Sequence, residues 1–119
     1  MNQLETQSVV RRNRQLFRQG TPLNYCKFIK GNSARHEWTK SAICYLLTLR
    51  DEPYYCEAFF DGGKADVVCL GKGLILEVTE SEKPESIEEK RKVYPLPIFA
   101  IPASIGHDSL RRKLEDVLG

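Results

Sequence analysis

The sequence predicts an α/β (α+β) domain: a mixed four-stranded sheet flanked by helices, with an extra helix at each end of the chain. Three observations predict it. Between Ser33 and Arg50, Trp38, Ala42, Tyr45, Leu46 and Leu49 recur at i, i+4, i+7, i+8 and i+11, the spacing of one helix face. From Tyr54 to Thr79, YYCEAFFDGGKADVVCLGKGLILEVT reads as three short apolar strands parted by two glycine turns. Beyond Thr79, a helical segment and then the proline-bounded run LPIFAI give strand, helix, strand, which implies a right-handed crossover and a parallel pair.

The remaining elements follow in order. Met1 to Gly20 reads as a helix carrying Leu4, Val9, Val10, Leu16 and Phe17, ended by Gly20-Thr21-Pro22. Leu23 to Ile29 is a mixed run, strand or helix. Gly31-Asn32-Ser33 supplies a break and an N-cap, and Asp51-Glu52-Pro53 closes the helix that follows. Pro84 suits the first turn of a helix running to about Val93, whose EEKRK run is a solvated face. The strand from Leu96 to Ile101 has Pro97 near its start, a sign of a strand end or edge. Asp108 to Leu118 places Leu110, Leu114, Val117 and Leu118 on one side of a final amphipathic helix.

At 119 residues the chain is expected to form one globular unit, with 1–31 a basic helical extension and 32–119 the main domain. A content of 41% hydrophobic and 29% charged residues is ordinary for a water-soluble domain. With no run of 18 apolar residues and no leader, the expectation is a cytoplasmic protein without membrane contact. Cys26, Cys44, Cys56 and Cys69 are far apart and show no CxxC spacing, so they read as buried reduced thiols rather than a zinc site or disulfide framework. His36 and His107 have no paired spacing and read as surface or loop residues.

The chemistry centres on two acids set in apolar strands, Asp66 and Glu77. A carboxylate there is costly unless solvated, paired or bound to a cation. If Lys72-Gly73 is a two-residue loop, Val68 faces Glu77 and Asp66 faces Thr79, so Asp66, Glu77 and Thr79 share a face. A three-residue loop sends Asp66 to the other face. A Gly62-Gly63 loop places Glu57 opposite Val68 on that same face, with pairing to Lys64 or an exposed edge as the plainer alternatives. Glu37 sits at the edge of the apolar stripe, facing the sheet or complementing the helix dipole. Arg11, Arg12, Arg14 and Arg18, then Lys27, Lys30 and Arg35, make the first third basic, whereas acids crowd Glu77 to Glu89. That asymmetry suits a polyanion held beside a cation site, or simply a solvated charged surface.

Helix, three-stranded meander, helix, strand resembles the core of the PD-(D/E)xK nuclease superfamily, the restriction-endonuclease-like αβββαβ fold that includes archaeal Holliday junction resolvases. The resemblance runs over roughly 33–101, and the phrases ADVV and LILEVTESE are similar to archaeal and viral proteins of that fold. It implies that 32–119 is a nuclease-like domain with Glu37 from the first helix, Asp66 from the second strand and Glu77-Val78-Thr79 at the third. Thr79 stands where the family has lysine. Lys64, two residues before Asp66, is then the replacement, with Lys83 and Lys90 as others able to reach in; loss of activity is the alternative.

The resemblance further implies a divalent-metal-dependent DNA nuclease acting on structured or single-stranded DNA. Asp66, Glu77 and the Val78 carbonyl would bind Mg²⁺ or Mn²⁺, which prefer oxygen ligands. Glu37 and Lys64 would join Asp66 and Glu77 in catalysis, and the seven basic residues would hold the DNA backbone. Tyr54, Tyr55 and Phe59 would stack on bases or belong to the core. A homodimer would cut two strands, in the cytoplasm or in a host cytoplasm if the protein is viral. The competing expectation is a catalytically silent module of the same fold that binds nucleic acid or a protein partner.

Overall fold

A computed structural model describes residues 2–18, 21–80 and 84–119. Four helices and four strands follow one another as α1 (Gln3–Arg14), α2 (Ala34–Leu49), β1 (Tyr54–Phe60), β2 (Gly63–Cys69), β3 (Leu74–Thr79), α3 (Pro84–Val93), β4 (Ile98–Pro102) and α4 (His107–Leu118). The α+β class with a mixed four-stranded sheet is therefore as the sequence predicts. Strand order is β1-β2-β3-β4, antiparallel through the meander and parallel between β3 and β4. The crossover through α3 makes the parallel pair, as a strand–helix–strand order requires.

Both hairpins close two residues away from the expected registers. Val68 faces Ile75 and Cys69 faces Leu74, so the β2–β3 turn spans Leu70, Gly71, Lys72 and Gly73 rather than two residues. Gly73, at φ +64, takes the left-handed conformation the turn needs. The shift is two residues, so it preserves which side chains share a face, and Asp66 falls beside Glu77 instead of Thr79. In the first hairpin Tyr55, not Glu57, faces Val68. Asp61 and Gly62 form that turn, with Gly62 at φ +100.

Two cores sit on the two faces of the sheet. On one, α2 and α4 cover Tyr54, Cys56, Val67, Leu76, Val78 and Ile101 with Ile43, Leu47, Leu110 and Leu114. On the other, Phe17 and Val10 pack on Tyr55, Phe60, Val68 and Ile75. The basic extension is thus fastened to the domain: Asn13 Nδ2 donates to the Leu70 carbonyl at 2.7 Å, and the Arg18 N–H donates to the Phe59 carbonyl. The first helix is shorter than expected, ending at Arg14 because the chain must leave it for Arg18 to bridge β1; Met1, Gln19 and Gly20 lie outside the described residues. Leu23 to Ile29 forms neither strand nor helix and runs beside β1, where the Asn24 N–H donates to the Tyr54 carbonyl. Pro97 precedes β4, which begins at Ile98.

Ser33 caps α2, its hydroxyl accepting from the His36 N–H, but only part of the apolar stripe read from the sequence is its buried face: Leu46 is in the core and Ala42 packs against it. Trp38, Tyr45 and Leu49 are 70%, 59% and 62% exposed, while Glu37, Lys40, Ile43, Cys44 and Leu47 point inward. The physical reason is that the inward positions carry partners for the acids of the sheet, and an unpaired buried carboxylate costs more than a solvated aromatic. Among the described residues no helix is long and apolar enough to cross a membrane.

Candidate functional site

The site begins where the ladder between β2 and β3 stops. Val67 pairs with Leu76, but one step on the strands part, and the acids at that step replace the missing backbone partners. The Asp66 N–H donates to Glu77 Oε1 at 2.8 Å, and the Val78 N–H donates to Asp66 Oδ2 at 2.9 Å. Each strand's freed donor is satisfied by the other strand's acid, as a buried amide requires. The same step is irregular in β1: Cys56 faces Val67 and Ala58 faces Ala65, while the pairing skips Glu57 and Asp66. Glu57 has φ +54, a left-handed conformation rarely adopted by a residue with this side chain. Cys56 belongs to the core beneath α2 and Ala58 to the opposite core, so the kink changes which face β1 presents.

The first two turns of α2 deliver the rest. Glu37 accepts from the Ile29 N–H and, at 3.1 Å, from Asn32 Nδ2, which ties the chain before the helix to the site. Lys40, fully buried, stands between two acids, its Nζ 2.7 Å from Glu37 Oε1 and 3.6 Å from Glu57 Oε2. His36 spans Glu37 and Asp66, with Nδ1 at 2.8 Å from Glu37 Oε2 and Nε2 at 3.4 Å from Asp66 Oδ2. From the sheet, Lys64 Nζ reaches Glu57 Oε1 at 2.7 Å, and from α3 Lys90 Nζ reaches Glu77 Oε2 at 3.3 Å. Glu37, Glu57, Asp66 and Glu77 thus meet His36, Lys40, Lys64 and Lys90 in one connected network, with Lys64 and Lys90 at its partly exposed edge.

Protonation follows from these contacts. His36 is raised to about 9, because its hydrogen bond to Asp66, helped by Glu37, outweighs burial; it is an imidazolium at neutral pH. Burial would push Glu37 up, but hydrogen bonds from Lys40, Ile29, His36 and Asn32 together bring it down to about 2. Burial would likewise lower Lys40, yet its bond to Glu37 and the charge of Glu57 raise it, so it keeps its proton. Glu77 goes the other way: burial, then the nearby Asp66 charge, lift it to about 7 despite Lys90. A carboxylate that half-titrates at neutral pH beside an anchored aspartate is a pair whose negative charges are under-compensated.

The structure brings Glu37, Lys64, Asp66 and Glu77 together, with the Val78 backbone at the same break. Thr79 pairs with Pro102 at the end of β3, and Lys83 lies outside the described residues. His36 is no surface histidine but a bridge between two acids, and Lys40 is a member that the sequence reading missed. Its signal was present, since Lys40, Cys44 and Leu47 follow Glu37 at i+3, i+7 and i+10. The basic residues divide into two groups. Arg11, Arg12 and Arg18 are exposed beside the core that α1 covers, with Arg14 donating to the Tyr55 hydroxyl at 2.9 Å. Lys27, Lys30 and Arg35 are exposed on the α2 side, next to Glu37, where Arg35 Nε lies 3.8 Å from Glu80 Oε1. Tyr54 and Tyr55 are core residues, whereas Phe59 is partly exposed. No protein-family model, curated protein or solved structure matches the chain.

Proposed function

We propose that the chain is a divalent-metal-dependent nuclease that hydrolyses phosphodiester bonds in structured or single-stranded DNA. The observation that carries this reading is the break between β2 and β3, where Asp66 and Glu77 stand in for the missing ladder bonds, with Glu37 joined to Asp66 through His36. A cation suits the donor set of Asp66 and Glu77, two carboxylates on adjoining strands and therefore all oxygen. Asp66, Glu77 and the Val78 carbonyl would hold Mg²⁺ or Mn²⁺, with Glu37 linked to Asp66 through His36. A bound ion of this kind supplies positive charge at the scissile phosphate and a water acidic enough to attack it.

The chain's own groups do the rest. Lys90, already on Glu77, takes the place of the lysine that Thr79 lacks, and Lys64 stands on the other side of the partly exposed edge, so both ammonium groups face an incoming phosphate. Lys27, Lys30 and Arg35 would hold the backbone on the α2 side without reading bases. The α1 arginines lie across the sheet and would meet a strand only if it wraps the domain edge. A second copy, needed to cut both strands, would find apolar contact on Trp38, Tyr45 and Leu49. Cleavage of plasmid, single-stranded and four-way-junction DNA with Mg²⁺ or Mn²⁺ tests the proposal, with Asp66→Ala and Glu77→Ala abolishing it and Lys90→Ala cutting it sharply.

A second reading has its own support. Each of the four acids already has a basic partner, and His36 stands beside the Asp66 oxygen that a metal would use. The alternative is a silent module of this architecture that binds nucleic acid. DNA binding with no cleavage in either ion, unchanged by Asp66→Ala, selects it.

A further inference from the structure

The inward face of α2 carries a second cluster one turn beyond Lys40. Cys44 from α2, Cys56 from β1 and Cys26 from the irregular segment before α2 bring their sulfur atoms within 4.8 Å of one another. All are free thiols. The backbone of the Cys26 segment faces the same point, the Lys27 N–H donating to Cys56 Sγ at 3.4 Å. Single buried cysteines are ordinary packing groups, and Cys69 is one: it belongs to the same core but lies outside the cluster, its thiol beside Glu52 Oε2 at 3.7 Å. Three sulfurs delivered to one point by three separate elements are a different matter.

We propose that Cys26, Cys44 and Cys56 form a three-sulfur site for a thiophilic d¹⁰ metal ion, Zn²⁺ or Cu(I), separate from the carboxylate network. Thiolate ligands select such ions over Mg²⁺ and Mn²⁺, which demand oxygen. A metal about 2.3 Å from each sulfur needs sulfurs about 4 Å apart, so the observed spacing closes with small side-chain movements. No fourth histidine, cysteine or acid joins the cluster among the described residues. The ion is therefore three-coordinate, as Cu(I) accepts, or keeps one position for water or an exogenous ligand, as zinc does outside purely structural sites. Entry is from the Cys26 side, because Cys44 and Cys56 are buried and Cys26 is only partly so. Binding would tie the segment carrying Lys27 and Lys30 to α2 and β1, and so fix the basic residues beside Glu37.

The test is anaerobic titration of the reduced, metal-free full chain with Cd²⁺, as the probe for zinc, and separately with Cu(I). The expected result is one equivalent bound in at least one titration, a sulfur-to-metal charge-transfer band, and a higher melting temperature. Cys26→Ser, on the irregular segment where folding is least at risk, weakens binding at least tenfold, while Cys69→Ala leaves it unchanged. Absence of the band with both ions, or equal weakening by Cys26→Ser and Cys69→Ala, overturns the proposal. So does an affinity of Cys26→Ser equal to that of the wild type with its circular dichroism unchanged.

Discussion

The two ends of the β2–β3 hairpin are built on opposite principles. At the turn end, Val67, Val68 and Cys69 pair with Leu76, Ile75 and Leu74, every side chain is apolar or a thiol, and the backbone satisfies itself. One residue further, the ladder stops and carboxylates take over the backbone's hydrogen bonds. The first end gains stability from burial of apolar area and close packing. The second buries four acids, which is tolerable only because each is paired, and the two lysines at its edge, Lys64 and Lys90, remain partly exposed. Strain is found at the second end as well: Glu57, at φ +54, is the non-glycine residue of the sheet with positive φ among the described residues.

Substitutions should separate the two ends. The largest effect is on the proposed chemistry: if the chain is the nuclease proposed, Asp66→Ala takes that activity to background, whereas Ile75→Ala at the turn end leaves the specific activity of the folded fraction unchanged. Next comes stability at the charged end. Lys40→Met strands Glu37 and Glu57 as buried, under-compensated acids and should cost about 3–5 kcal/mol in denaturant unfolding, the range for breaking a buried ion pair from one side. Ile75→Ala removes a fully buried side chain and should cost about 2–5 kcal/mol through transfer and cavity effects, with no dependence on divalent ions. In Lys40→Met, by contrast, and not in Ile75→Ala, Mg²⁺ should restore part of the loss.

A smaller, pH-dependent effect distinguishes the ends further. Glu77 titrates at about 7 when folded against 4.5 as a free group, so it holds its proton more tightly in the native chain. Its contribution to stability is complete below about pH 4.5 and is lost as pH rises through 7. His36, raised to about 9, acts in the same direction at higher pH: its contribution is complete below 6.5 and is lost as pH rises through 9. Metal-free protein should therefore lose stability steadily from pH 5 to 9 in chemical denaturation. Asp66→Asn removes the charge that helps lift Glu77, so the slope between pH 5 and 7 should flatten, and the Glu77 titration followed by NMR should move down. Glu37 contributes the reverse limb, since its depression to about 2 stabilises the fold above pH 4.5 and is lost as pH falls through 2.

How much of this was legible depends on whether local pattern or long-range pairing decided each feature. The strands, the places of the turns though not their lengths, and α3 were legible because glycine, proline and apolar runs report local backbone preferences. The convergence of Asp66 and Glu77 was legible despite a wrong register, because a two-residue slip preserves the face of every side chain. The orientation of α2 was not. Trp38, Tyr45 and Leu49 form a convincing apolar stripe, yet the helix turns Glu37 and Lys40 inward, and that choice depends on Glu57 and Asp66, which are distant in sequence. The role of His36 was hidden for the same reason, since its second partner is on β2. Cysteine spacing was equally uninformative, because Cys26, Cys44 and Cys56 meet through tertiary packing rather than within a loop.

The most direct test of the central claim is the affinity of the carboxylate network for Mn²⁺ near pH 7.5, read by calorimetry and by electron paramagnetic resonance on wild type and Asp66→Asn. Saturable binding that raises the melting temperature and is lost in Asp66→Asn is the predicted result. No binding in the wild type, or equal binding in the variant, would contradict it and leave the four acids and four bases as a self-contained structural network.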